Sequence, residues 1–216
     1  QYIGFEQKGK LITFNPKSHV RMSPSFQPEA DGVTFHLKAV YTDTFRNEYS
    51  KEHSTHPIRM SRICGPVEVV NDTTFTVRFY RMGLDNPKRT GGICLMASVK
   101  QDHKYRSAVQ QVEIRIPYRN KEGIPQRIIF PKLSDVKASV KEISLNGTAD
   151  SGLPVYYYVK EGPAEIKGDK LVLTKIPPRA KFPVKVTVVA WQYGRSGEPK
   201  VQTAEAVEQS FYITAR

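Results

Sequence analysis

Apolar and polar residues alternate with a period of two along much of this chain. Val33-Thr34-Phe35-His36-Leu37, Phe75-Thr76-Val77-Arg78-Phe79 and Val112-Glu113-Ile114-Arg115-Ile116 show it in the first half. Val184-Lys185-Val186-Thr187-Val188 and Phe211-Tyr212-Ile213 follow in the second, with the short apolar run Leu171-Val172-Leu173. Successive side chains of a strand point to opposite faces, so this period marks strands with one buried face. The runs are rich in β-branched and aromatic residues and are bounded by Gly, Pro, Asn and Asp, which favour turns. No stretch carries apolar residues at the i, i+3, i+4, i+7 spacing of an amphipathic helix. Many short strands separated by turns predict an all-β chain built as sandwiches.

The pattern occurs twice. PIRMSRICGPVEV, starting at Pro57, aligns with PVYYYVKEGPAEI, starting at Pro154, and both contain a Gly-Pro pair, at 65–66 and 162–163. Downstream, ICLMAS (93–98) aligns with VTVVAW (186–191), and AVQQVEIRI (108–116) with AVEQSFYI (206–213). Upstream, ITF (12–14) aligns with IIF (128–130). Four blocks in one order indicate an internal duplication, with loop insertions shifting the offset between blocks. We therefore expect residues 12–120 to form one sandwich and 121–216 a second, joined by a short linker, Asn120-Lys121-Glu122-Gly123-Ile124-Pro125. Residues 1–11 read as a lead-in strand or the tail of a preceding domain.

Residues 126–213 resemble a bacterial immunoglobulin-like repeat of secreted and surface proteins, often from Bacteroidetes, that accompanies carbohydrate-active enzymes. The resemblance rests on IIF (128–130), SGLPV (151–155), GPA (162–164), LVL (171–173), VTVVA (186–190) and FYI (211–213). The first half matches more loosely and lacks S-G-L-P. The resemblance implies two tandem immunoglobulin-like β-sandwich domains. It also implies a location outside the cytoplasm: secreted, periplasmic or on the outer-membrane surface. It says little of a ligand, because this fold carries many functions.

Alternation assigns faces. Val155, Tyr157 and Val159 share one face of their strand, and Tyr156, Tyr158 and Lys160 the other. Val184, Val186, Val188 and Ala190 form a smooth apolar face, which must be core, so Lys185, Thr187, Val189 and Trp191 face outward. Phe211 and Ile213 point inward and Tyr212 outward. Immunoglobulin-like topology sets these three strands side by side as strands C, F and G of one sheet. The outer face of that sheet would carry Tyr156, Tyr158, Val189, Trp191 and Tyr212, flanked by Lys160 and Lys185. Such a patch has three readings. It is a carbohydrate platform, with Tyr156, Tyr158, Trp191 and Tyr212 stacking on sugar rings and Lys160 and Lys185 holding acidic substituents. It is a docking face for a neighbouring catalytic domain of the same protein, as apolar patches with polar rims often are. Or Trp191 folds over the edge of its own sheet. A one-residue bulge would reverse the faces.

Charge narrows the partners only a little. The chain has 33 Lys and Arg against 21 Asp and Glu, a net charge of +12, spread as +7 over residues 1–125 and +5 over 126–216. A distributed positive field suits polyanions, acidic polysaccharide among them, and also serves solubility. Arg59, Arg62, Arg78, Arg81, Lys88 and Arg89 lie on or between strands of the first half, with Arg59 at the place equivalent to Tyr156. No nucleic-acid-binding motif accompanies them, and nucleic acid is not expected as a partner. No apolar run approaches the length of a membrane span. The chain begins with Gln1 and carries no recognisable leader, which reads as a processed or excised segment.

Chemistry-bearing motifs are scarce. There is no nucleophile elbow, phosphate-binding glycine loop or H-E-x-x-H, and no carboxylate pair stands out, so no enzyme activity or cofactor is expected. His53 and His56 form H-S-T-H without the companions a zinc site needs, so no metal is expected. Cys64 and Cys94 are the two cysteines. They would meet across a sheet if their strands are antiparallel neighbours, and otherwise stand as two separate thiols.

Overall fold

The computed structural model describes residues 1–14, 23–80 and 90–215. Its contacts divide the chain into two units, Gln1–Arg78 with Pro87–Tyr118, and Phe79–Asn86 with Arg119–Arg216. All regular structure among the described residues is strand.

The first unit contains β1 (Tyr2–Gln7), β2 (Lys10–Ile12), β3 (Thr34–His36), β4 (Lys38–Asp43), β5 (Glu48–Tyr49), β6 (Arg59–Cys64), β7 (Val67–Val69), β8 (Thr74–Val77), β9 (Thr90–Val99) and β10 (Ala108–Pro117). They form sheets in the orders β2-β1-β4-β5, β10-β9-β6 and β3-β8-β7. Residues 1–11 are therefore part of this unit's own sheet: β1 pairs with β2 on one side and β4 on the other, and buries Ile3 and Phe5. Alternate residues of β3, β8, β9 and β10 supply the core. Phe35 and Phe75 stack at 5.5 Å, and Val77, Ile93, Leu95, Ala97, Ile114 and Ile116 are fully buried. The alternation seen in the sequence is thus the alternation of core and outer face.

The second unit contains β11 (Ile128–Ile129), β12 (Val136–Lys137), β13 (Glu142–Ser144), β14 (Thr148–Ala149), β15 (Tyr156–Glu161), β16 (Ala164–Lys167), β17 (Lys170–Leu173), β18 (Val184–Trp191) and β19 (Val207–Thr214). One sheet runs β12-β19-β18-β15, another β13-β17-β16, and β11 pairs with β14. Strands β15, β18 and β19 are the C, F and G strands expected side by side. Their inner residues Tyr157, Val186, Val188, Ala190, Phe211 and Ile213 join Phe130, Leu145 and Leu171 in the core. The hydroxyl of Tyr157 accepts a hydrogen bond from the Gly147 amide at 2.7 Å, which satisfies its polar end at the margin of the core.

The repeat is visible in three dimensions. The order β3-β8-β7 in the first unit matches β13-β17-β16 in the second, and β10-β9-β6 matches β19-β18-β15. The turn after β6 and the turn after β15 each hold a glycine in the left-handed region, Gly65 at φ +96° and Gly162 at φ +101°. A Cβ on Gly162 would lie 2.6 Å from the Lys185 carbonyl oxygen and 2.8 Å from Val186 Cα. On Gly65 it would lie 2.4 Å from the Gly92 oxygen and 2.9 Å from Ile93 Cα. Equivalent glycines thus press against equivalent points of the neighbouring strand.

The segment expected as a linker is bound into the second unit. Ile124 and Val201 are bridged in parallel, with the Ile124 amide donating to Lys200 at 2.9 Å and the Gln202 amide to Ile124 at 2.9 Å. Asn120 is buried. Its side-chain amide donates to the Tyr193 carbonyl at 2.9 Å, and its backbone amide to the Thr203 hydroxyl at 2.8 Å.

Candidate functional site

The outer face of β15, β18 and β19 carries the residues singled out from the sequence. The ladder sets Tyr156 against Trp191 and Tyr158 against Val189, and Lys185 against Tyr212. Directly opposed residues of an antiparallel pair share a face, so alternation does bring these side chains together. A register shift between Val159 and Glu161 inserts an extra residue near the end of β15. The bulge comes after Tyr158 and leaves the faces of Tyr156 and Tyr158 unchanged.

What the structure does not present is an open aromatic platform. Trp191 is 0% exposed, Val189 1% and Tyr158 8%. Tyr156 is half-buried, and its ring stacks on Trp191 with centroids 4.9 Å apart. Phe79, itself in the second unit, meets Trp191 edge to face at 5.2 Å and Tyr193 at 5.5 Å. Tyr193 is also fully buried, and burial pushes its phenol pKa far up. Strand β18 is therefore covered on both faces over its second half, and Thr187, expected outward, is buried as well. The expectation of an exposed Trp191 is corrected by this second apolar layer. Of the aromatic residues named, Tyr212 is the exposed one, at 42%.

The flanking charges are engaged in pairs. Lys160 donates to Glu208 in a short ion pair. Lys185 lies 2.8 Å from Glu161, which also accepts from the Thr187 hydroxyl at 2.7 Å. The hydrogen bond from Lys185 holds the Glu161 carboxyl below its ordinary range, and the same contact raises the Lys185 ammonium. These pairs are exposed, so each holds geometry more than it stabilises. The indole Nε1 of Trp191 is buried without a hydrogen-bond partner among the described residues.

Phe79 was the residue that sequence reasoning placed elsewhere. The run Phe75-Thr76-Val77-Arg78-Phe79 reads as one strand whose three apolar residues face one core. In the structure β8 ends at Val77, and Phe79 packs in the second unit. No local signal in the sequence marks that change of direction.

The first unit holds a polar recess of about 330 Å³ between the 51–55 and 102–105 loops, with His53, Asp102 and His103 among its walls. Its side chains are largely committed to building the loops. Asp102 accepts from the Ser54 hydroxyl at 2.5 Å and from the amides of Tyr105 and Lys104 at 2.7 and 2.8 Å. Led by the Ser54 hydrogen bond, these lower its pKa from 3.8 to about 2. A carboxylate held ionised in this way does not serve as a general acid at neutral pH. His53 stacks on Tyr41 at 4.2 Å, and Lys104 reaches Glu52 at 3.1 Å.

Of the first-half basic residues singled out from the sequence, Arg59, Arg62 and Arg78 are engaged in contacts within their unit. Arg59 lies at the position equivalent to Tyr156 and forms an ion pair with Asp72 at 2.8 Å, and Arg78 pairs with Glu68 at 3.1 Å. Arg62 donates to the Gly65 carbonyl at 3.0 Å, which ties the end of β6 to its turn. Arg81, Lys88 and Arg89 lie outside the described residues.

No protein-family model matches the chain, and no curated protein matches it. Among solved structures it resembles human protocadherin-24 repeats EC1-2, at 13% identity and a TM-score of 0.33, over 90% of this chain and 94% of that one. It also resembles Drosophila N-cadherin EC1-4, at 12% identity and a TM-score of 0.31, over 90% of this chain and 47% of that one. A third is protocadherin gamma B2 domains 3-6, at 14% identity and a TM-score of 0.30, over 98% of this chain and 52% of that one. The chain thus spans about half the length of the latter two. The fold itself rests on the paired sheets of each unit described above. Two tandem sandwiches of the immunoglobulin-like class are what the chain is.

Proposed function

We propose that this chain is a non-catalytic accessory region of a secreted or surface-attached bacterial protein, and that it acts as a structural spacer rather than as a glycan-binding module. The observation that carries this reading is the burial of Trp191. A ring stacked on Tyr156 and capped by Phe79 offers no face to a sugar. The lysines beside it already have carboxylate partners. Tyr156, Tyr158 and Trp191 are therefore committed to packing, and the module supports whichever domain adjoins it, a neighbouring catalytic domain being the expected one.

The competing reading is an acidic-polysaccharide module, with Tyr212 and Lys185 as its accessible remnant and the net charge of +12 as its attraction. A glycan array of pectic, sulfated and neutral polysaccharides, probed at low and high salt, separates the two. The spacer reading expects silence from a chain shown to be folded by circular dichroism. Binding that weakens with salt and is lost in Tyr212→Ala or Lys185→Ala would overturn it, because exposed charges are screened as ionic strength rises.

A further inference from the structure

The two cysteines lie on neighbouring antiparallel strands of the first unit. The ladder between β6 and β9 runs Arg59 to Ser98, Met60 to Ala97, Ser61 to Met96 and Arg62 to Leu95, and then pairs Cys64 with Cys94. Without an interruption, Ile63 would oppose Cys94, and Cys64 would oppose Ile93 on the core face. The extra residue in β6 shifts Cys64 by one place and sets it directly against Cys94. Ile93 and Leu95 are fully buried, so Cys94 between them points to the outer face, and Cys64 shares that face. Directly opposed Cα atoms in such a ladder lie about 4.5 or 5.5 Å apart. A disulfide spans about 4.4–6.8 Å.

The second unit supplies an internal reference. β15 has its register shift at the equivalent place, between Val159 and Glu161, and this pairs Glu161 with Thr187. In the repeat alignment these residues stand where Cys64 and Cys94 stand. Their side chains meet, with the Thr187 hydroxyl donating to Glu161 at 2.7 Å. The bulge thus directs paired side chains at one another in the unit where the contact is polar, and the first unit places two thiols in the same arrangement. Both cysteines are thiols in this structure.

We propose that Cys64 and Cys94 form an oxidisable pair, a site of reversible cross-strand disulfide formation whose co-substrate is a small-molecule disulfide. Cys64 is the more exposed of the two and reacts first. It gives its proton to solvent, and its thiolate attacks one sulfur of the small disulfide. That S–S bond breaks, one small thiolate leaves, and a mixed disulfide forms on Cys64. The Cys94 thiolate, its proton also lost to solvent, attacks the Cys64 sulfur and expels the second small thiolate. Two protein thiols lose two electrons and two protons, and one small disulfide becomes two thiols.

The test equilibrates the full chain in glutathione buffers of graded thiol-to-disulfide ratio. Remaining thiols are then alkylated, and intact masses are read. The expected result is one transition from a doubly alkylated chain to a monomer lighter by two hydrogens than the reduced chain and closed to alkylation. A peptide map should join Cys64 to Cys94. The closed form should exceed the mixed glutathione adduct by about tenfold or more, because the second sulfur is held at high effective concentration. Cys64→Ser and Cys94→Ser should each lose the closed form and gain the adduct. Double alkylation at the most oxidising ratio, or adducts and intermolecular dimers alone, would overturn the proposal. Glu161→Cys with Thr187→Cys, in a chain lacking both native cysteines, should close in the same way. If neither pair closes, the register argument is wrong.

Discussion

Replacing Phe79 by alanine tests how the outer face of β18 is held. Phe79 is 2% exposed, and its ring touches both Trp191 and Tyr193. Truncating a buried phenylalanine costs about 3–5 kcal/mol, with the lower end where surroundings collapse into the space. Phe79 covers one sheet face rather than filling a central core, so we expect about 3 kcal/mol. With a urea dependence of about 2 kcal/mol per molar, the midpoint should fall by about 1.5 M with the slope unchanged. The assay is specific because the chain has one tryptophan, Trp191, so intrinsic fluorescence reports the second unit alone. Loss of the cap should also shift its emission to the red and raise its quenching by acrylamide. Tyr212→Ala, which trims an exposed ring of the same sheet, should cost about 0.5 kcal/mol or less and so move the midpoint by about 0.25 M or less. An unchanged emission with a midpoint within about 0.2 M of the parent would refute the reasoning, since a buried cap cannot be removed at no cost.

Two further perturbations probe the turn and the loops. Gly162→Ala should destabilise the second unit by about 3 kcal/mol, combining left-handed strain with a Cβ driven against the Lys185 carbonyl. Gly168→Ala, at φ +64° with open space around it, should cost only about 1–2 kcal/mol, and equal losses in the two urea titrations would contradict the contact. Asp102 has a folded pKa depressed to about 2, so its contribution is present above its unfolded value of 3.8 and is lost as pH falls through about 2. The stability difference between the parent and Asp102→Asn, followed by circular dichroism, should therefore be full above about pH 4 and vanish near pH 2. A difference that stays constant across that window would show that the carboxylate's charge is not what holds the Ser54–Tyr105 loops.

The core was legible in the sequence because the period of two is a direct image of the pleat. Val186, Val188, Ala190, Phe211 and Ile213 were placed inward by alternation alone and are buried. The side-by-side order of the 156–161, 184–191 and 207–214 strands followed from immunoglobulin-like topology, and the duplication read from the sequence appears in the equivalent turns at Gly65-Pro66 and Gly162-Pro163. The candidate site was read less well for a physical reason. Alternation tells which residues share a face but not whether that face meets water, which depends on segments distant in sequence. Trp191 lost its exposure to Phe79, far upstream, and Asn120 became a buried hydrogen-bonding residue through contact with Tyr193 and Thr203. The bulge that brings Cys64 opposite Cys94 was equally hidden, since one extra residue leaves no mark on composition.

The sheet order of the second unit has a consequence for how it is made. β19 lies inside its sheet, hydrogen-bonded to β18 on one side and, in parallel, to β12 on the other. During synthesis β12 emerges long before the strand that must fill the gap between it and β18. Until residues 207–214 clear the ribosome, β18 carries an open edge and Val186 and Val188 lack the Phe211 and Ile213 side chains that complete their layer. A nascent chain stalled short of that strand would expose a ready template for pairing with other chains. Folding of this half therefore waits for its final strand, whereas the first unit, complete by Tyr118, is free to close while the rest is still being translated.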